Sequence, residues 1–105
     1  PPTKSAPLCE IFYGYLMLCA NSFQPAMGYL YRALALQLND PLLCLLCCAA
    51  SLGRATNRQV ENRNHTVIQG MSMLANYAEL RGQSLEVDYN FGRAYQHLGT
   101  YINII

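Results

Sequence analysis

Three sets of residues in this 105-residue chain have types and spacing that could do chemistry. The first is Cys44-x-x-Cys47 followed at once by Cys48, the spacing of a redox dithiol or of half a zinc site. Zinc would need two further ligands at a recognisable spacing, and His65 and His97 each stand alone in their segments. The cysteines lie in the run LLCLLCC, where no charge is at hand to lower a thiol pKa. They read as buried packing residues, with no metal bound. The second set is His65 and His97 as general bases. No Ser, Cys or carboxylate accompanies either in a catalytic arrangement, and the six acidic residues are spread thinly, so neither catalysis nor a cofactor is expected. The third set is Arg54, Arg58, Arg63 and Arg81, interleaved with Asn57, Asn62 and Asn64. Two readings of it stay open: a solvated insertion, or a docking site for an acidic segment, since arginine forks pair well with carboxylates.

Composition narrows the setting. Hydrophobic residues make up 52% of the chain and charged residues 12%, against the roughly 25% charged share of an ordinary domain. Much of the surface therefore expects company. A net charge of +1 gives no electrostatic footprint for nucleic acid and no polybasic block for a membrane, so no direct nucleic-acid contact is expected from this segment. Ile11 to Tyr31 carries no charge, but Asn21, Ser22, Gln24 and Pro25 interrupt it. The uncharged stretch from Pro41 to Gly53 is shorter than the roughly 20 residues a spanning helix needs. Both read as buried helices of a soluble protein. Five cysteines without framework spacing point to a reducing compartment, where the Asn64-His65-Thr66 sequon has no meaning. No initiator Met or targeting pattern opens the chain, which reads as a piece of something larger.

The elements that must position these residues are helices. Apolar residues recur with helical period, β-branched residues are scarce in the first half, and breaks fall at Asn21-Ser22, Asn39-Asp40-Pro41 and Gly82-Gln83-Ser84. The spacing predicts helices over 7–20, 23–38, 41–53, 63–81 and 85–98, with Thr100 to Ile105 opening a sixth. Pro41 suits a first helical turn with Asp40 as its cap, and Gly99 suits a left-handed C-terminal cap.

A repeat links the first and last of these. Gly14 and Gly92 hold the same place, each preceded by an aromatic (Tyr13, Phe91) and followed three residues on by Met17 or Tyr95. In the tetratricopeptide (TPR) pattern of about 34 residues, a glycine at the eighth place and small residues at the twentieth and twenty-seventh let paired helices approach closely. Ala26 and Ala33 take the latter two places when the first repeat starts at Pro7, and Leu30 stands between them. Tyr89 to Gly99 is close to the strongest stretch of that pattern. The repeats fall at about 7–40, 41–84 and a truncated 85–105. The second is about ten residues too long, with the excess placed near 54–64, and Cys48 occupies its glycine position. The expected fold is all-α, a TPR-like superhelix of antiparallel helix pairs, each burying its face against its neighbours.

Beyond the generic repeat, the opening PPTK, Asn39-Asp40-Pro41, the run from Arg58 to Gly82 and the run from Val87 to Gly99 together resemble the C-terminal TPR region of the TPR subunit of transcription factor TFIIIC. The resemblance implies a nuclear, non-enzymatic scaffold for genes read by RNA polymerase III. Its implied partners are other TFIIIC subunits and, through recruitment, TFIIIB subunits. A TPR adaptor of another assembly, in chaperone work or RNA processing, is the alternative. The candidate protein-binding residues are Arg54, Arg58, Arg63, His65, Arg81, Asn90 and Arg93; Gly14, Ala26, Ala33, Gly92 and Tyr95 are packing residues of the repeat. The inner positions Ile11, Tyr15, Leu45 and Ala49 are apolar, and Asn90 alone matches the polar clamp with which such grooves hold a peptide carboxylate. An apolar helix suits this surface better.

Overall fold

The computed structural model describes the backbone of residues 2–37, 39–57 and 62–104, and the side chains of 8–37, 39–57 and 62–99. Among them run five helices: α1 (Pro2–Cys19), α2 (Phe23–Leu36), α3 (Pro41–Ala55), α4 (Arg63–Arg81) and α5 (Leu85–Ile104). Each reversal has a local cause. After α1, Asn21 takes a left-handed φ of 58°, Ser22 N–H reaches back to the Met17 carbonyl at 2.8 Å, and Asn21 N–H to that of Leu18 at 3.0 Å. That is the Schellman closure with Asn in place of Gly, because a short polar side chain tolerates the left-handed region. Before α3, the Asp40 carboxylate accepts from Leu43 N–H at 3.2 Å, with Pro41 in the first turn. Gly82, at φ 79°, closes α4, and Ser84 Oγ accepts from Val87 N–H at 3.2 Å to start α5.

The start of α4 is tied to the end of α3. Arg63 donates from Nε to the Ala55 carbonyl at 2.8 Å and from a terminal nitrogen to the Asn57 carbonyl at 3.0 Å. Both carbonyls lie at the C-terminal end of α3, where a cation is also favoured by the helix dipole. Residues 58–61, between the two ends, lie outside the described residues.

Small residues set how closely the helices approach. A Cβ on Gly14 would stand 2.6 Å from Leu30 Cγ, so the glycine is what lets α1 lie on α2. Gly70 does the same for α4 on α3, its missing Cβ facing Ser51 Cβ at 3.1 Å. The ring of Phe23, at the start of α2, lies directly on Gly53 of α3. Ala26, Leu30 and Ala33 on α2 are fully buried, and 44 residues further on so are Leu74 and Tyr77 of α4, with Gly70 buried beside them. The two helices thus present the same inward register. Between α2 and α3 the Tyr31 hydroxyl and Ser51 Oγ share a hydrogen bond of 2.8 Å, which satisfies the polar atoms this core encloses. Helix α5 adds Val87 and Ala94 to the core and packs only lightly on α3 and α4. The molecule is a slab of 49 × 34 × 21 Å.

Several expectations about helix ends need correction. The sixth helix does not open at Thr100: α5 runs unbroken through Gly99 to Ile104, and Gly99 is not in a left-handed conformation. A glycine inside a helix costs only about 1 kcal/mol relative to alanine, so it ends a helix only where the chain beyond is held in another direction. Helix α1 begins at Pro2, five residues before Pro7. Helix α2 stops at Leu36 and α3 continues to Ala55.

Candidate protein-docking groove

The inner faces of α1, α3 and α5 line one trough. Its first part, of about 300 Å³, lies between α1 and the start of α3, walled by Leu8, Ile11, Phe12, Tyr15, Leu42 and Leu46. Leu46 is shared with the second part, of about 430 Å³, where Leu18, Leu45, Ala49 and Leu52 face Asn90, Arg93, Ala94 and His97 of α5. Leu8 is 69% and Phe12 57% exposed, so this part of the trough presents bare apolar side chain to solvent. Helix α1 is apolar on nearly every side, so it can pack on α2 and line the trough at once.

The α5 end is polar. Asn90 donates from Nδ2 to the Tyr77 hydroxyl at 2.7 Å; that hydroxyl in turn donates to Glu86, whose carboxylate also meets Arg81 Nε at 3.4 Å. Burial, followed by the bond to Glu86, pushes the Tyr77 phenol up, so it stays protonated as a donor. His97 Nε2 meets Thr56 Oγ1 at 3.3 Å. Arg93 projects into the trough as an exposed cation.

The structure distributes the residues the sequence singled out. Asn90 and Arg93 come together in the trough, although Asn90 already spends one N–H on Tyr77. Arg54 is half-buried in the last turn of α3, and His65 is exposed near the start of α4. Arg58 lies outside the described residues. Arg63 is committed to main-chain carbonyls and Arg81 to Glu86, at opposite ends of α4 and about 27 Å apart by helix rise. Arg63 and Arg81 therefore do not belong to one patch. Sequence reasoning found Ile11, Tyr15, Leu45 and Ala49 on the inner surface but missed Leu8, Phe12, Leu42 and Leu46. The available signal was that α1 has no polar face to turn outward.

The cysteines on α3 are core. Cys44, Cys47 and Cys48 are buried as free thiols, and burial pushes the Cys47 thiol up to about 12 and that of Cys48 to about 11. Cys9 and Cys19 are exposed on α1. Among the described residues no three His, Cys, Asp or Glu side chains stand together as a metal site. None of the helices so described is long and apolar enough to cross a membrane.

No known family profile matches the chain. Curated relatives do. The chain is 35% identical over 103 residues to Transcription factor tau subunit sfc4 of Schizosaccharomyces pombe, a match covering 93% of this chain. It is 30% identical over 105 residues to the Transcription factor tau 131 kDa subunit of Saccharomyces cerevisiae, covering 94%. It is also 30% identical over 92 residues to General transcription factor 3C polypeptide 3 of Homo sapiens, covering 88%. The chain spans about 10% of the length of each relative.

Proposed function

The chain belongs, as a segment, to the family of TFIIIC subunits, and from that premise we propose that it is a non-enzymatic scaffold whose trough holds a partner protein within the RNA polymerase III transcription factor. The observation that carries this reading is the apolar trough across α1 and α3, two adjoining pockets that share Leu46, bare at Leu8, Phe12, Tyr15 and Leu42 and bordered at the α5 end by Arg93. Such a trough takes an extended or helical apolar segment, with anchors filling its two widenings. Another TFIIIC subunit is the first candidate partner. Supporting TFIIIB recruitment in the nucleus is the role this docking serves. The relatives' names favour a transcription assembly over a chaperone or RNA-processing adaptor.

The test is a pair of substitutions, Phe12→Glu and Leu42→Glu, in the full-length protein. Both residues are exposed, so the fold should keep its melting temperature within a few degrees. Affinity purification from nuclear extract should then recover at least one TFIIIC subunit about tenfold less well. An unchanged set of co-purifying subunits would remove the trough from the account.

A further inference from the structure

Helix α5 shows to solvent the face by which α1 packs on α2. Stepping 78 residues carries Glu10, Ile11, Gly14 and Met17 of α1 onto Asp88, Tyr89, Gly92 and Tyr95 of α5. On α1 this face is covered: Ile11 and Met17 pack on the core, Gly14 is buried against Leu30 and Tyr29, and the Glu10 carboxylate pairs with Arg32 at 3.0 Å. On α5 it is bare. Tyr89 is 66% and Tyr95 59% exposed, Leu85 at its start 87%, and nothing lies within 4 Å of where a Gly92 Cβ would stand. Asp88 is exposed, with no ion-pair partner among the described residues.

We propose that in the full-length protein this face is closed by a helix running antiparallel to α5, contributed by the same polypeptide beyond Ile105. That helix presents a bulky aliphatic side chain to Gly92 and, about half a turn further on, an Arg or Lys to Asp88. The chemistry of the occupant is read from Leu30 and Arg32, which fill these two roles opposite Gly14 and Glu10. A glycine in mid-helix is unfavourable by about 1 kcal/mol relative to alanine, and at position 14 it is offset by close approach. The same residue at position 92 gains nothing until a helix lies on it. The same chain is the source because α1 on α2, α2 on α3 and α3 on α4 are all packings of helices adjacent in sequence. The relatives, moreover, are about ten times as long as this segment. The inference does not rest on the trough, which shares Ile11 with this face on α1 but none of its residues on α5.

The test places the photo-cross-linking residue p-benzoylphenylalanine at position 89 or 95 of the full-length protein, with Glu79 on the exposed side of α4 as control. Irradiation and peptide mapping should join both α5 positions to a segment of the same chain following Ile105, and Glu79 should not give that product. Asp88→Arg should lower the cross-link yield several-fold, and reversing the charge of a cation in the mapped segment should restore it. Cross-links to another subunit, cross-links between heavy- and light-isotope copies, or no protein cross-link at either position would each overturn the proposal.

Discussion

The guanidinium of Arg63 donates from Nε to the carbonyl of Ala55 at 2.8 Å, so the first residue of α4 holds the last residue of α3. Hydrogen bonds to a charged partner contribute roughly 1.5–3 kcal/mol, less where water reaches them. Arg63→Ala should therefore lower stability by about 1–2 kcal/mol in denaturant titration. Arg63→Lys should recover only part, since an ammonium cannot present the planar fork that serves the Ala55 and Asn57 carbonyls together. If Arg63→Ala leaves stability unchanged while weakening partner recovery, the arginine is a docking residue and the staple reading is wrong.

Two glycines at equivalent places should answer the same substitution with opposite signs in the 105-residue chain. Gly14→Ala drives a methyl into the Leu30 side chain, and overpacking of this kind costs about 1–3 kcal/mol, more than the roughly 1 kcal/mol gained in helix propensity. Gly92→Ala meets nothing and keeps the propensity gain. Thermal melts should place Gly14→Ala below the parent and Gly92→Ala above it.

Tyr77 couples α4 to α5 through its hydroxyl. Tyr77→Phe keeps the ring but leaves the Asn90 amide and the Glu86 carboxylate each short of a partner, a loss of about 1–2 kcal/mol. Because α5 packs lightly elsewhere, amide hydrogen exchange should speed up in α5 before α2 or α3.

Raised pKa values in the core make the fold sensitive to alkali. The Cys47 and Cys48 thiols are pushed from 9.0 to about 12 and 11 by burial, and the Tyr31 phenol from 10.0 to about 12, again chiefly by burial. Above pH 9 the unfolded chain therefore holds fewer protons than the folded one, and the stability present below that pH falls as pH rises toward 12. Each such group steepens the fall by up to about 1.4 kcal/mol per pH unit. Denaturation midpoints should be flat from pH 7 to 9 and then drop, and Cys47→Ala should soften the drop. In the native state at pH 8, Ellman's reagent should find Cys9 and Cys19 quickly and the three α3 thiols only on unfolding.

The helices legible in the sequence were those whose ends carry their own chemistry. Asp40-Pro41 caps α3 and Gly82-Gln83-Ser84 separates α4 from α5 with side chains and torsions that act locally. Gly99 was misread because a glycine cap and a glycine in mid-helix look alike until something holds the following chain. The arginine cluster was legible as charge but not as geometry, for no spacing rule shows that Arg63 turns back to the carbonyls of the preceding helix. Half of the trough could be read from inner positions such as Tyr15 and Ala49. Leu8 and Phe12 escaped because α1 is apolar all round, and periodicity cannot tell which face of such a helix stays bare.

The central claim is that the trough is a docking surface within TFIIIC. A photo-cross-linker at Ala49, on its exposed floor, tests it most directly in full-length protein purified from nuclear extract. The account predicts a cross-link to a segment of another TFIIIC subunit, lost when Phe12→Glu is added. Cross-links to chaperones alone, or a TFIIIC cross-link indifferent to Phe12→Glu, would contradict it.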